Sequence, residues 1–384
     1  MHVALALLIA LHGLLHLLGA SRAFGWVEMA GLRQSISPAM GVLFLSAALL
    51  LTAGGVLWGT RTTGAWAVTL VGVVLSQILV FTVWSDAQVG TLPNLLILAF
   101  LLLGPSEWRP GSLAFRYRTD TSAAVDAGRA RPGLSSPMVT EADLQGLPKA
   151  VARWMEGVGV VGRPRITGFR ARFGAAIRNG AGDPYMTGSA EQHSFLSPPR
   201  RLFLLQVRRG LIPVEVYHVY GPDGATMEVR ALGLVPVLRV GGEEMARSET
   251  VTFLNDLVLL APAGLLELDL EWIPRSSRRV DVRWDQLGYV VEAELHFDRS
   301  GALEEFRSDD QLRSTDDGFE VARWRTPIRS RAPTPGGVLL PREAEAWWDA
   351  DAESWCYARF TVLAVETTPE RPDDESHGTA QTGP

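Results

Sequence analysis

The strongest constraint in this chain is the near absence of charge from its first 104 residues, where Arg22, Glu28, Arg33, Arg61 and Asp86 are the only acidic or basic side chains. A bilayer core of about 30 Å is crossed by about 20 apolar residues of helix. Met1 to Ala20, Pro38 to Trp58 and Gly64 to Trp84 satisfy that directly. A fourth stretch, Leu92 to Gly104, is shorter and approaches the range only with Thr91 and the residues up to Trp108. Trp26, Trp58, Trp66, Trp84 and Trp108 fall at or near the ends of these stretches, where an amphipathic indole prefers the interface. The first stretch has no basic leader and is followed closely by others, so it reads as a retained span rather than a secretory signal. Residues 1–104 are therefore predicted to form a transmembrane four-helix module, with the lipid bilayer as its partner. Four crossings place both termini and the Arg61 loop on one side. Arg61, Arg109, Arg116 and Arg118 there outnumber Arg22 and Arg33 on the other side, which makes the first side cytoplasmic.

The rest of the chain has a different character. A total of 384 residues predicts two or three structural units. A net charge of −6 excludes a generally basic surface, so no nucleic-acid partner is expected. The single cysteine, Cys356, excludes an intramolecular disulfide framework and any Cys-based zinc site. Residues 105–140 are rich in Arg, Ser, Ala, Gly and Pro without periodicity, and read as a linker. A short amphipathic helix opens at Pro148. Beyond it, Phe169 to Ile177, Phe203 to Val207, Val214 to Tyr220, Val280 to Trp284, Tyr289 to Phe297 and Cys356 to Ala364 alternate apolar and polar, as strands with one dry face do. One longer helical pattern, Ser248 to Leu260, is stopped by Pro262. The fold class expected is a helical transmembrane module plus an α+β soluble domain over 141–366, a curled antiparallel sheet or incomplete β-barrel covering a helix. Residues 367–384 lack aliphatic core formers and are predicted to be a disordered tail.

Chemistry-bearing residues are sparse. No phosphate-cradling, dinucleotide, nucleophile-elbow or HExxH pattern occurs, so catalytic residues, cofactor and metal ligands stay unassigned. His12 and His16 are four residues apart, hence on one helical face. At 1.5 Å per residue, His16 lies level with Asp86 and His12 with Gln77, while Asn94 enters from the same end. These five form a candidate cluster, either interhelical hydrogen bonding or a proton- or metal-linked site. His193, beside Glu191 and Gln192, falls in a strand or strand-edge loop, as a partly exposed histidine or as a ligand or acid-base group. His218, on a dry face with Val216 and Tyr220, reads as a core histidine bonded to backbone. His296 lies among Glu292, Glu294 and Asp298 on a wet face. Trp347 and Trp348 form either a packing pair at the barrel rim or an aromatic lip on a ligand opening.

Three stretches carry a resemblance: Trp84-Ser85-Asp86-Ala87 with Gly90, Thr91 and Asn94; Leu147-Pro148 with Val151, Arg153, Trp154 and Gly159-Val160-Val161-Gly162; and Met227 to Val237, reading MEVRALGLVPV. Over most of residues 1–366 the chain resembles an uncharacterised bacterial membrane-protein family in which a multi-helix module precedes a β-rich domain. The resemblance implies the half-barrel of bacterial lipoprotein carriers and a location in the bacterial cell membrane. Leu259-Leu260-Ala261-Pro262 departs from it, standing where an aromatic-proline pair is usual. The expected function is a membrane-anchored binding or carrier protein for an apolar or amphipathic, lipid-like ligand. The alternatives are a metal-dependent enzyme using its histidines, and a structural or signalling protein without a ligand.

Overall fold

The computed structural model describes residues 2–27, 34–60, 62, 64–103, 109–129, 138–315, 318–350 and 353–369. The chain divides into two compact units, Met1–Arg116 and Tyr117–Pro384.

The first unit is helical. α1 (His2–Phe24), α2 (Pro38–Gly59) and α3 (Ala65–Thr82) are followed by a short α4 (Trp84–Ala87), a 3₁₀ turn at Gln88–Gly90 and α5 (Thr91–Leu103). The Ser37 side chain accepts from the Met40 N–H and Pro38 occupies the first turn, which together start α2. Val3–Phe24, Pro38–Gly59, Ala65–Thr82 and Trp84–Leu102 are long and apolar enough to cross a membrane. The last of these is a composite of α4, the 3₁₀ turn and α5, and its polar residues Ser85, Asp86, Gln88, Thr91 and Asn94 fall in the first two pieces and the first turn of α5. Gly55 lets α2 close on α1, because a Cβ there would stand 2.7 Å from the Ala6 carbonyl; small residues are what permit such close helix pairs. Leu7, Leu11, Leu49, Val71, Ile78 and Phe81 face outward and exposed.

The second unit contains a 13-stranded antiparallel sheet. Its strands are β1 (Ile166–Ile177), β2 (Met186–Leu196), β3 (Pro199–Arg209), β4 (Ile212–Gly221), β5 (Gly224–Ala231), β6 (Val235–Gly241), β7 (Leu270–Ser276), β8 (Arg279–Gln286), β9 (Tyr289–Phe297), β10 (Leu303–Ser308), β13 (Arg323–Pro333), β14 (Leu339–Ala350) and β15 (Glu353–Pro369). Their order is β6-β5-β4-β3-β2-β1-β15-β14-β13-β10-β9-β8-β7, so the sheet is open, and β11 (Leu312–Thr315) pairs with β12 (Gly318–Val321) as a separate hairpin. Register shifts at Arg172/Phe173, Ile328/Ser330 and Ala346/Trp347 bend the strands into a curl. Gly188 permits the close approach of β2 and β3, since a Cβ there would meet the Gln206 carbonyl at 1.9 Å.

Helices complete this unit: the part of α6 (Leu113–Arg129) from Tyr117 onward, α7 (Glu141–Leu144), α8 (Lys149–Val158) and α9 (Glu243–Leu260). The sheet's inner face brings Phe169, Phe203, Leu205, Val280, Val282 and Trp284 into one core with Val251, Phe253, Leu254, Leu257 and Val258 of α9. Phe253 stacks on Trp284 with centroids 6.0 Å apart. Trp154 and Met155 of α8 join the same core. Burying this much apolar surface at about 25 cal/mol per Å² is what holds an open sheet around one helix.

The expected class holds: helices first, then a curled antiparallel sheet around a helix. Three boundaries differ. Residues 113–129, expected within a linker over 105–140, form α6, because Tyr117 and Thr121 supply a buried stripe at helical spacing where a search for aliphatic periodicity finds nothing. Residues 367–369, expected in a disordered tail, complete β15 opposite Ile166 to Phe169; backbone pairing needs no aliphatic side chain. Residues 370–384 lie outside the described residues, as do 104–108 and 130–137 of the expected linker and spans. The helix expected over 248–260 begins earlier, at Glu243.

Candidate functional site

Between the inner face and α9 lies a buried group of charges. Arg201 stands on β3, two residues before Phe203 and therefore on the same face. Its Nε donates to Asp256 Oδ2 at 2.6 Å and its Nη1 to Glu249 Oε2 at 2.9 Å. Both carboxylates come from α9, seven residues apart and so on one side of the helix. Gln192 of β2 donates to Asp256 Oδ2 at 2.8 Å and to Ser194 Oγ at 2.9 Å. His218 of β4 completes the group, its Nδ1 lying 2.6 Å from Glu249 Oε1. That contact requires the proton on Nδ1 and leaves Nε2 as the remaining polar ring atom. Arg201, Glu249 and Gln192 are buried, whereas the His218 side chain is 21% exposed and connects the group to solvent.

The electrostatics are asymmetric. Burial pushes the Glu249 carboxyl up, but Arg201 and His218 outweigh it and hold the group down at about 2. Asp256 moves the other way, because burial exceeds what Arg201 and Gln192 return. Burial opposes the Arg201 cation, and its two carboxylates more than offset that. The Arg201 guanidinium also lies 4.7 Å from the centroid of Phe203, whose ring meets His218 edge-on at 5.7 Å. Partly buried Val216 and Met227 flank His218 on the same face. The arrangement is a charged group at the edge of an apolar wall. A separate apolar cleft, lined by Trp154, Val258, Leu303, Ile328 and Leu340 among others, has room for no more than a water molecule.

Sequence patterns identify His218 but miss Arg201, Glu249 and Asp256. His218 bonds to a carboxylate rather than to backbone as expected, because Glu249 arrives from a helix 31 residues away. Of its two expected places, strand or strand-edge loop, His193 takes the strand, in β2 between β1 and β3, where polar Gln192 and Ser194 occupy dry positions and conceal the alternation. On the outer face, His193 Nδ1 pairs with Tyr117 Oη at 2.8 Å, and Tyr217 donates to Asp120 at 2.8 Å, so α6 covers that face. Burial and then Arg170 push His193 down to about 4, and burial with Glu191 pushes the Tyr117 phenol up. Trp348 is buried and stacked on Tyr357 at 5.4 Å, whereas Trp347 donates to Glu345 and lies under Arg325. His296 meets Glu294 at 2.8 Å on the wet face.

In the helical unit, His12 Nε2 lies 2.8 Å from Asn94 Oδ1, which also accepts from Ser76 at 3.0 Å. Asn94 donates to Gln77 at 3.0 Å, and Gln77 to Thr91 at 3.2 Å. His12, Gln77 and Asn94 are thus joined, with Asn94 rather than direct contact linking His12 to Gln77. His16 is not paired with Asp86 as expected: its Nδ1 contacts the His12 carbonyl at 3.1 Å, while Asp86 accepts the Gln34 N–H at 2.8 Å. The reason is the break at Val83, φ −125° and ψ 41°, which ends α3 before Asp86, so that equal rise along one straight helix does not extend to that residue. No group of three or more His, Cys, Asp or Glu fit to hold a metal occurs among the described residues.

Two solved structures are similar over 61% of this chain. One is a candidate outer membrane lipoprotein-sorting protein domain from Vibrio parahaemolyticus, at 7% identity and a TM-score of 0.33 over 94% of that chain. The other is a DUF1329 family protein from Desulfovibrio piger, at 10% identity and a TM-score of 0.22 over 95% of that chain. No curated protein sequence matches. A family model matches residues 137–360, and the chain belongs to that family of unknown function, DUF6544.

Proposed function

We propose that this protein is a membrane-anchored binding protein for an amphipathic, lipid-like ligand, with the helical unit in the bilayer and the β-rich unit on its cytoplasmic side. The ligand's apolar body lies against Val216, Met227 and Phe203, and its polar end meets His218 and, behind it, the Glu249–Arg201 pair. The observation that carries this reading is the buried Arg201–Glu249–Asp256 group. Replacing such a group by apolar residues is often neutral or stabilising, so packing alone gives no reason to keep it. Its one partly exposed histidine abuts apolar side chains, the pairing that an amphiphile requires. His218 Nε2, the ring atom not engaged by Glu249, accepts a hydrogen bond from a hydroxyl on the ligand's polar end.

The test is binding of 11-(dansylamino)undecanoic acid to residues 109–369, with solvent extracts of the purified full chain analysed by mass spectrometry. Saturable binding and a retained amphiphile are expected. His218→Gln should weaken dye binding about tenfold, the equivalent of about 1.4 kcal/mol, without loss of fold. Absence of both dye binding and any retained amphiphile would reduce the charged group to a clamp between helix and sheet and end the carrier reading.

A further inference from the structure

At one end of the β-rich unit two hairpin tips stand side by side. β3 passes into β4 through Gly210 and Leu211, and β5 into β6 through Leu232, Gly233 and Leu234. The Leu232 N–H donates to the Pro213 carbonyl at 2.8 Å and fixes one tip against the other. Their apolar side chains are turned to solvent: Leu211 is 92% exposed, Val237 63%, Val235 54% and Ile212 50%. Leu232, partly buried between the tips, holds φ +57°, a conformation that favours glycine. Contiguous exposed apolar surface of this kind marks an interaction site rather than ordinary surface.

The charge around the tips selects the partner. Arg208, Arg209 and Arg239 are exposed on these strands, and among the described residues none forms an ion pair. Several arginines elsewhere on the sheet do, among them Arg279 with Asp281, Arg323 with Asp309, Arg325 with Asp349 and Arg329 with Glu345, whereas Arg331 and Arg342 bond to backbone carbonyls. The neighbouring carboxylates are occupied, Glu228 by Arg230 and Glu215 by Gln206. Unpaired cations around an apolar tip match phosphates around an apolar interior. The chain as a whole is anionic, at −6, so attraction to a negative surface must be local. We propose that the paired tips dock on an anionic lipid surface, with the leucine, isoleucine and valine side chains entering the headgroup region and the three arginines meeting lipid phosphates. The proposed membrane anchoring supplies the nearby bilayer, and the inference rests on that reading to this extent.

The experiment uses the full chain with Cys356→Ala, reconstituted into vesicles of phosphatidylcholine with or without phosphatidylglycerol. An environment-sensitive dye is attached to a cysteine at position 211, 223 or 49. Asp223, at the opposite end of β4, and Leu49, on the outer face of α2, are controls. Position 211 is expected to shift to the blue and to be quenched by shallow brominated lipid in anionic vesicles, while 223 stays water-like. Each of Arg208→Glu, Arg209→Glu and Arg239→Glu should lower insertion about fivefold or more, since one basic residue at such a surface contributes about 1 kcal/mol. Quenching at 49 without quenching at 211 would overturn the docking and leave the anchoring intact. Loss of quenching at 49 would instead remove the anchoring. A blue shift at 211 that follows protein concentration and ignores lipid charge would assign the tips to a second copy of the chain and overturn the proposal.

Discussion

His193 is a base held in the wrong place for a proton. Its lowered value of about 4, against 6.5 ordinarily, follows from burial and from Arg170, while Tyr117 supplies a neutral partner. As pH falls below 6.5 the unfolded chain takes up the proton first. The contribution of neutral His193 is therefore complete above pH 6.5 and is lost progressively toward pH 4. At about 1.4 kcal/mol per pH unit the loss is on the order of 3 kcal/mol. His193→Gln is expected to flatten that dependence, read by urea unfolding of residues 109–369 at pH 7 and 4.5. An identical pH response in both proteins would mean that His193 does not titrate in this window. Local spacing reveals that His193 is a histidine near a carboxylate; it cannot reveal a tyrosine 76 residues away.

At the scale of elements, α9 is joined to the sheet by polar contacts as much as by packing. Besides the Arg201 group, Asn255 accepts from Thr326 at 2.6 Å and Thr250 donates to Tyr220 at 2.9 Å on the sheet, and Ser248 donates at 2.7 Å to Gln311, just before the β11–β12 hairpin. Arg201→Ala leaves two buried carboxylates without their cation, and a loss of about 3–5 kcal/mol is expected. Arg201→Met combined with Glu249→Gln and Asp256→Asn should recover most of it, while dye binding stays weak. Denaturant midpoints of the two variants decide the matter. Failure of the triple variant to recover would show that the charges hold the helix by themselves. This helix is legible by its apolar positions and its stop at Pro262, but nothing in its local pattern marks Ser248, Glu249, Thr250, Asn255 and Asp256 as buried. They are buried because the curled sheet surrounds the helix, a fact of curvature that no local pattern encodes.

For the whole molecule, the β-rich unit has its own core and its own cover, so residues 109–369 are expected to fold without the helices that precede them. A cooperative, β-rich thermal transition is the expected result. Residues 138–369, which lack α6, should melt lower, because Tyr117–His193 and Asp120–Tyr217 are lost and each hydrogen bond contributes about 0.5–1.5 kcal/mol. Equal melting temperatures would mean that α6 does not cover the outer face in solution.

The sequence by itself determined the order of the parts. Charge depletion marks four apolar helices, and period-two alternation marks β1, β3, β4, β8, β9 and β15, because both signals lie in neighbouring residues. Only the tertiary structure decided which strands adjoin: β1, at residues 166–177, lies against β15, at residues 353–369. Packing of α9 on the sheet likewise carried Arg201 to Asp256, 55 residues apart, and pairing of β4 with β5 set Leu232 against Pro213. Such pairings depend on backbone hydrogen bonds and curvature accumulated over the whole sheet, and side-chain pattern within one strand does not record them.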